Sequence, residues 1–263
     1  MRPARRRALL ALTAATAALL TTLTACGGSG ADDANGGGGE EEVTLTVLAA
    51  ASLTDVFTAA QELYAEEHPE VTLEFSFAGS QELVAQVEQG APADALVTAD
   101  TATMDGVAEL TAAEPLVIAR NALTIVTPPD NPAGVDSLDD LADPELRLVL
   151  AAPEVPAGRY GRQVLDAQGI DAAPDSEEAN VRAVLGKVRL GEADAGLVYV
   201  TDATSAGDDV ATVAIPEDQN VTAEYPAAAL TDAAHPAEAA EFVEWLGSDE
   251  ARALLGDAGF QAP

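Results

Sequence analysis

From Val43 onward, the apolar positions switch repeatedly between a period of two and a helical period. Val43-Thr44-Leu45-Thr46-Val47-Leu48 is rich in β-branched residues and predicts a first strand. Leu53, Val56, Phe57, Ala60, Leu63 and Tyr64 then recur at helical spacing until Pro69 stops them. Val71, Leu73, Phe75 and Phe77 alternate as a second strand. Leu83, Val84 and Val87 mark a short helix ending at Gly90; Ala95 to Thr98 follows as a strand, and Met104, Val107 and Leu110 as a third helix. Leu123 to Thr127 predicts another strand, and Pro128 to Gly134 a loop. Leu146 to Leu150 reads as a strand. Behind the turn Pro153 to Gly158 comes a helix through Tyr160, Val164 and Leu165. Val181, Val184, Leu185 and Val188 make a further helix. Ala195 to Val200 is a wholly apolar strand suited to burial on both faces, and Val210 to Ile215 is one more strand. Phe242, Val243, Trp245, Leu246, Leu254 and Leu255 belong to two C-terminal helical segments. Strands alternating with helices predict an α/β fold with parallel sheets.

The first 42 residues follow neither period. Arg2, Arg5, Arg6 and Arg7 precede an uncharged stretch, Ala8 to Leu23, that has the length of a secretory h-region and falls short of the roughly 20 apolar residues of a membrane span. Leu23-Thr24-Ala25-Cys26 has the residue types of a bacterial lipobox, and Cys26 is the only cysteine in the chain. Residues 1–25 are therefore expected to be a lipoprotein signal peptide, with Cys26 as the lipid attachment point. Residues 26–42, with Gly36-Gly37-Gly38-Gly39 and Glu40-Glu41-Glu42, cannot bury a core and are expected to be a flexible tether. The expected location is the extracytoplasmic face of the cell membrane, held by lipid rather than by a spanning helix.

Charge narrows the partners. Removing the leader leaves 8 basic residues against 45 acidic ones, a formal charge of −37. This argues against nucleic acid and anionic lipid surfaces. An acidic surface of this kind serves solubility, and a monomer is expected. With a single cysteine, no disulfide staples the fold.

The usual signatures of catalysis are missing. His68 and His235 each precede a proline, and both read as surface turn residues without a metal-ligand neighbour. There is no nucleophile elbow, no Walker-type loop and no cysteine nucleophile. The carboxylates are too numerous to single out an acid/base pair. The chain therefore reads as a binder without catalytic residues, cofactor or direct metal-ion ligands. A tethered enzyme or adhesin on the same fold is the reading from a different class, and aromatics, at 4%, are scarce for an adhesin.

What stands out instead is a set of strand-to-helix junctions. Ser52 follows the first strand and Ser80 the second, each placed to cap a helix. Val155-Pro156-Ala157-Gly158 precedes the Arg159 helix, and Asn180-Val181 lies near the start of the next. Helix N-termini carry unpaired N–H groups and about half a positive charge, so they attract anions without lysine or arginine. Taken alone, each serine reads as a plain cap and Tyr199 as a core aromatic at a strand end. Arg159 and Arg182 read as surface residues pairing with the abundant acids.

In order along the chain come Ala49-Ala50-Ala51-Ser52-Leu53-Thr54-Asp55, Phe75-Ser76-Phe77-Ala78-Gly79-Ser80 and Gln89-Gly90-Ala91-Pro92-Ala93-Asp94. Pro153-Glu154-Val155-Pro156-Ala157-Gly158-Arg159-Tyr160, Asn180-Val181-Arg182, Gly191 to Tyr199, Tyr225-Pro226-Ala227 and Gly259-Phe260 follow. By these stretches, from about Val43 to Phe260, the chain resembles the molybdate-binding proteins of molybdate ABC transporters, the ModA family, in lipoprotein form. The resemblance implies a two-lobed periplasmic-binding-protein fold of type II-like character. It would have mixed, mostly parallel sheets flanked by helices and a ligand cleft between the lobes. It implies lobe one at about 43–122 plus 227–263 and lobe two at about 123–226. Carried over by position, Ser52 and Ser80 would supply hydroxyl and backbone donors, Ala157 and Val181 backbone N–H groups, and Tyr199 its phenol. The ligand would be molybdate or tungstate, delivered to the permease subunits of an importer, with another oxyanion or a small organic anion as the alternative. The chain departs from the family pattern at Ala151-Ala152-Pro153, where Gly-Asp-Pro is common, and at Ala102-Thr103-Met104, where Trp-Met is usual. The first departure removes a carboxylate near the site.

Overall fold

The computed structural model describes residues 42–263. The expected signal peptide, Cys26 and all but the last residue of the expected tether lie outside the described residues. Strand β1 (Val43–Ala50) leads through a 3-10 turn at Ala51–Leu53 into α1 (Thr54–Glu67), which ends before Pro69. Then follow β2 (Val71–Ala78), α2 (Ser80–Glu88), β3 (Ala95–Val97) and α3 (Thr101–Asp105). A long strand, β4 (Leu116–Thr127), leads to β5 (Leu148–Ala151), α4 (Pro156–Gln168), β6 (Ser176–Glu178) and α5 (Val181–Arg189). The chain continues through β7 (Ala195–Tyr199), α6 (Val200–Ala206), β8 (Ala211–Ala214) and β9 (Thr222–Ala229), and closes with α7 (Pro236–Trp245) and α8 (Asp249–Asp257).

The strands join in the order β2-β1-β3-β9-β4-β7-β5-β6, with β8 also on β4. Strand β1 pairs in parallel with β2 and β3, and β5 in parallel with β6 and β7. All the antiparallel pairings involve β4 or β9, the strands that run between the two parallel groups. Strand β4 changes partner midway. Residues up to Ala122 face β9, and from Leu123 onward the strand faces β7 and β8. This gives an α/β fold with two sheet halves sharing one strand. The core follows the same division: Phe57, Tyr64, Phe75, Phe242 and Trp245 pack against one another on the first half, mostly edge-to-face or tilted. Leu148 to Ala151, Val184, Val188 and Leu197 fill the second.

Several elements differ from the sequence reading. The third helix stops at Asp105, and Ala108–Leu110 is a separate 3-10 turn after Gly106. The apolar strand at Ala195 is buried on both faces as expected but ends at Tyr199, because Val200 opens α6. The strand expected at Leu123 begins seven residues earlier, at Leu116. His68 and His235 are half-buried rather than on the surface, and His68 stacks on Tyr64 with ring centroids 4.2 Å apart.

Candidate functional site

The carboxyl ends of β1, β2, β5 and β7 meet around a small cleft. Ser52, Ser80, Ala157, Val181 and Tyr199 all line it, so the structure brings together the five positions singled out by sequence. Ala99, Gly79 and Asn180 complete much of the remaining wall, and none of the lining residues is charged. Open α/β sheets place ligands at this end of their strands.

Backbone geometry makes the cavity a ring of donors. Ser80 is the first residue of α2, Val181 the first of α5 and Ala157 the second of α4. The first four N–H groups of a helix have no intrahelical acceptor, so these three helices present unspent donors with the positive end of their dipoles. Asn180 caps α5 by accepting from the Ala183 N–H at 3.0 Å, and Pro156 occupies the first turn of α4, where no donor is lost. Glycine is required twice. A Cβ on Gly158 would sit 2.0 Å from the carbonyl oxygen of Ala152, so only glycine lets α4 start against the end of β5. A Cβ on Gly79 would sit 2.4 Å from the Ala179 carbonyl oxygen on the opposite wall.

Neither serine caps a helix as expected. Gly79 is the N-cap of α2, and Leu53 that of α1. Because the 3-10 turn intervenes before α1, the Ser52 side chain turns inward, where its Oγ lies 3.0 Å from the Tyr225 Oη. The Ser80 Oγ accepts from the Ala99 N–H at 3.0 Å. That contact occupies a lone pair and leaves the Ser80 proton free to point at a ligand.

Tyr199 sits at the end of β7 with its phenol fully buried and without a hydrogen-bond partner among the described residues. Burial pushes the Tyr199 phenol well above its ordinary value, so it is a donor across the physiological range. A buried polar atom without a partner costs free energy on the order of 1–3 kcal/mol, which a ligand would relieve.

Charges ring the cavity without entering it. Arg159 of α4 pairs with the buried Asp100 at the start of α3. Arg182 of α5 lies 2.7 Å from Asp55 of α1 and 2.7 Å from the buried Asp202 of α6. The second contact is an ion pair whose angles are too poor for a good hydrogen bond. The side-chain amide of Gln81 donates to the Ala179 carbonyl at 2.8 Å. The two arginines do pair with acids, as expected, but two of their three partners are buried, so they are structural rather than surface pairs. Both cations are spent, and attraction for an anion is left to neutral donors. Burial raises the Asp202 carboxyl to about 6, with the Arg182 charge pulling the other way. At Asp55 burial also acts upward, but the hydrogen bond and charge of Arg182 outweigh it and hold the group below its ordinary value.

Two parallel sheet halves, with helix N-termini facing one uncharged cavity, define a solute-binding protein of the periplasmic-binding type. Residues 45–261 match the family of bacterial extracellular solute-binding proteins. The chain is 43% identical over 222 residues to the molybdate-binding protein ModA of Mycobacterium tuberculosis, covering 84% of this chain and 85% of the relative. It is 33% identical to YvgL of Bacillus subtilis, a putative ABC transporter substrate-binding lipoprotein, covering 83% and 86%. The periplasmic molybdate-binding protein of Azotobacter vinelandii has the same fold, with a TM-score of 0.74 at 21% identity, covering 83% of this chain and 99% of that one. The chain belongs to the bacterial extracellular solute-binding proteins, in their ModA branch. It is thus an extracytoplasmic binding protein and not an enzyme.

Sequence reasoning missed Asn121 and Tyr225 as site-building residues. Asn121 Nδ2 donates to the Thr201 Oγ1 at 2.8 Å and to the Tyr225 Oη at 3.4 Å. An asparagine in a strand is the available signal, hidden because Arg120 and Asn121 interrupt the apolar pattern of β4 before Leu123.

Proposed function

We propose that the chain captures molybdate, and tungstate equally in kind, in this cavity and hands it to the permease subunits of an ABC importer. The observation that carries the reading is the buried Tyr199 phenol without a protein partner, in a wall that otherwise offers helix N-terminal N–H groups and two serine hydroxyls. The printed names of the relatives point to the same oxyanion. Ser52 and Ser80 give their hydroxyl protons, Ala157 and Val181 their backbone N–H groups, and Tyr199 its phenol proton. Hydrogen bonds to a charged partner contribute about 1.5–3 kcal/mol each, so several together offset the desolvation of a dianion.

The wall contains no carboxylate, so it suits an anion that keeps no proton. Phosphate, which retains one near neutral pH, finds no strong acceptor there. Sulfate has the right charge but a smaller radius and leaves some donors unreached. The halves act as two lobes, one built on residues up to about 122 with the C-terminal helices, the other on about 123–226. The change of β4 partners at Ala122 and Leu123 supports the first boundary, while β9 lies in the first sheet already from Thr222. The protein is tethered outside the membrane through a lipidated Cys26, works as a monomer and needs no cofactor.

Ligand that binds only the folded state raises the melting temperature by mass action. Molybdate and tungstate should raise it in step with concentration, with sulfate and phosphate inert at the same ionic strength. Equal shifts by all four anions would contradict the reading.

A further inference from the structure

We infer that Tyr225 and Asn121 form a hydrogen-bond relay that sets the direction of the Ser52 hydroxyl, making Tyr225 a positioning residue for anion binding although it does not line the cavity. The inference rests on the proposed anion site. Three contacts carry it: Thr201 Oγ1 to Asn121 Nδ2, Asn121 Nδ2 to Tyr225 Oη, and Tyr225 Oη to Ser52 Oγ at 3.0 Å.

Their polarity can be worked out from one end. The Asn121 Oδ1 accepts from the Ala122 N–H at 3.0 Å, which fixes which amide atom is oxygen and which nitrogen. The amide nitrogen can only donate. Towards Asn121, therefore, Tyr225 Oη is an acceptor. Its single proton remains, and Ser52 Oγ is its only other partner among the described residues. Tyr225 gives that proton to Ser52, whose own proton is then free to point into the cavity. Each donor in such a chain polarises the next, so Ser52 becomes a better donor than an isolated hydroxyl. Ser80 is primed in the same sense by the Ala99 N–H, which can only donate.

The packing leaves Tyr225 no other task at the ligand. The side chain is fully buried, with its ring edge-on to Phe260 at 5.3 Å and to Tyr199 at 5.8 Å. Burial, the largest influence, keeps its phenol protonated, so the relay holds its direction at any physiological pH. The relay also joins the two walls: Thr201 lies two residues beyond Tyr199 on α6, and Ser52 lies on the opposite turn.

A double-mutant cycle tests it, with Tyr225→Phe, Ser52→Ala and their combination titrated with sodium molybdate. Tyr225→Phe keeps the ring and its packing, so it should fold normally. Loss of one hydrogen bond of this kind corresponds to about tenfold weaker binding. The expected result is about a tenfold loss from Tyr225→Phe in the native background and little or none once Ser52 is alanine, because the tyrosine acts through that hydroxyl. An equal loss in both backgrounds would overturn the relay and leave Tyr225 a packing residue. No loss in the native background, with Ser52→Ala still weakening binding, would overturn the relay alone. No effect of Ser52→Ala itself would remove the site reading, and the relay with it.

Discussion

The guanidinium of Arg182 on α5 lies 2.7 Å from the carboxylate of Asp55 on α1, and the two residues flank Val181 and Ser52 on opposite walls of the anion cavity. With Arg159 to Asp100 and Gln81 to Ala179, it forms a ring of cross-cavity contacts. Each contact sits within three residues of a proposed ligand donor or, at Asp100, next to the Ala99 that primes Ser80. If the halves close on the anion, these contacts form across the occupied cavity, and a ligand that favours the closed form shifts the population towards it.

Asp55→Asn should weaken that closure without harming the fold, since Asp55 is well exposed and Arg182 keeps Asp202. Exposed ion pairs contribute little, so we expect about two- to fivefold weaker molybdate binding, expressed in a faster off-rate and reduced by salt. The sign with pH follows from the depressed carboxyl. Its contribution is complete above the ordinary value of 3.8 and fades as acid approaches the folded-state value, so between pH 6 and 8 this bridge should not titrate. Stopped-flow dissociation at two salt concentrations checks both points.

Asp202 should have the opposite sign. Its carboxyl is raised to about 6 by burial, with Arg182 opposing. It therefore favours the fold most fully below 3.8, and that contribution is lost as pH rises through about 6, at up to about 1.4 kcal/mol per pH unit within that window. Urea unfolding at pH 5 and pH 8 should show a steeper loss in the native protein than in Asp202→Asn; parallel slopes would refute the assignment.

The two glycines of the cavity should behave differently when changed to alanine. At Gly158 the new Cβ meets the backbone of its own half, and overpacking of this kind costs about 1–3 kcal/mol of stability. At Gly79 the nearest backbone obstacle is Ala179 across the cavity, so Gly79→Ala should chiefly hold the walls apart, with weaker anion binding and a nearly unchanged ligand-free melting temperature. Melting curves with and without molybdate separate the two outcomes.

Removing both serine hydroxyls should be severe. Ser52→Ala with Ser80→Ala deletes two donors to a charged ligand, each worth about 1.5–3 kcal/mol, and leaves the Ala99 N–H without its partner. A loss of about two orders of magnitude or more is expected, and unchanged affinity in the double variant would dismiss the site.

Elements with clean apolar periods were legible in the sequence: β1, α1, β2, α5 and β7 lie within a few residues of their expected places. Those missed lack the period. Strand β6 reads Ser176-Glu177-Glu178, with nothing apolar, and survives on its parallel pairing with β5. Strand β9 contains Pro226 among small residues. It tolerates the proline because the register slips opposite it, between Val117 and Ala119. Helix α6, rich in threonine and serine, carried a turn-like composition. At the site, Ser52, Ser80, Ala157 and Val181 were legible as anion-attracting positions at strand-to-helix junctions, whereas Tyr199 entered only through the family resemblance. The roles of the serines were not, since a cap and a ligand donor use the same residue at nearly the same place, and only the partner across the fold, Tyr225 for Ser52 and Ala99 for Ser80, decides between them. At the Ala151-Ala152-Pro153 departure no carboxylate joins the cavity wall.

An uncharged ring of donors should select a fully deprotonated tetrahedral anion of molybdate size. Isothermal titration of the purified protein, freed of leader and lipid, against molybdate, tungstate, sulfate and phosphate tests it most directly. Molybdate and tungstate should bind one-to-one, with no heat from sulfate or phosphate at the same concentrations. Binding of phosphate or sulfate as tight as molybdate, or silence towards all four, would contradict it.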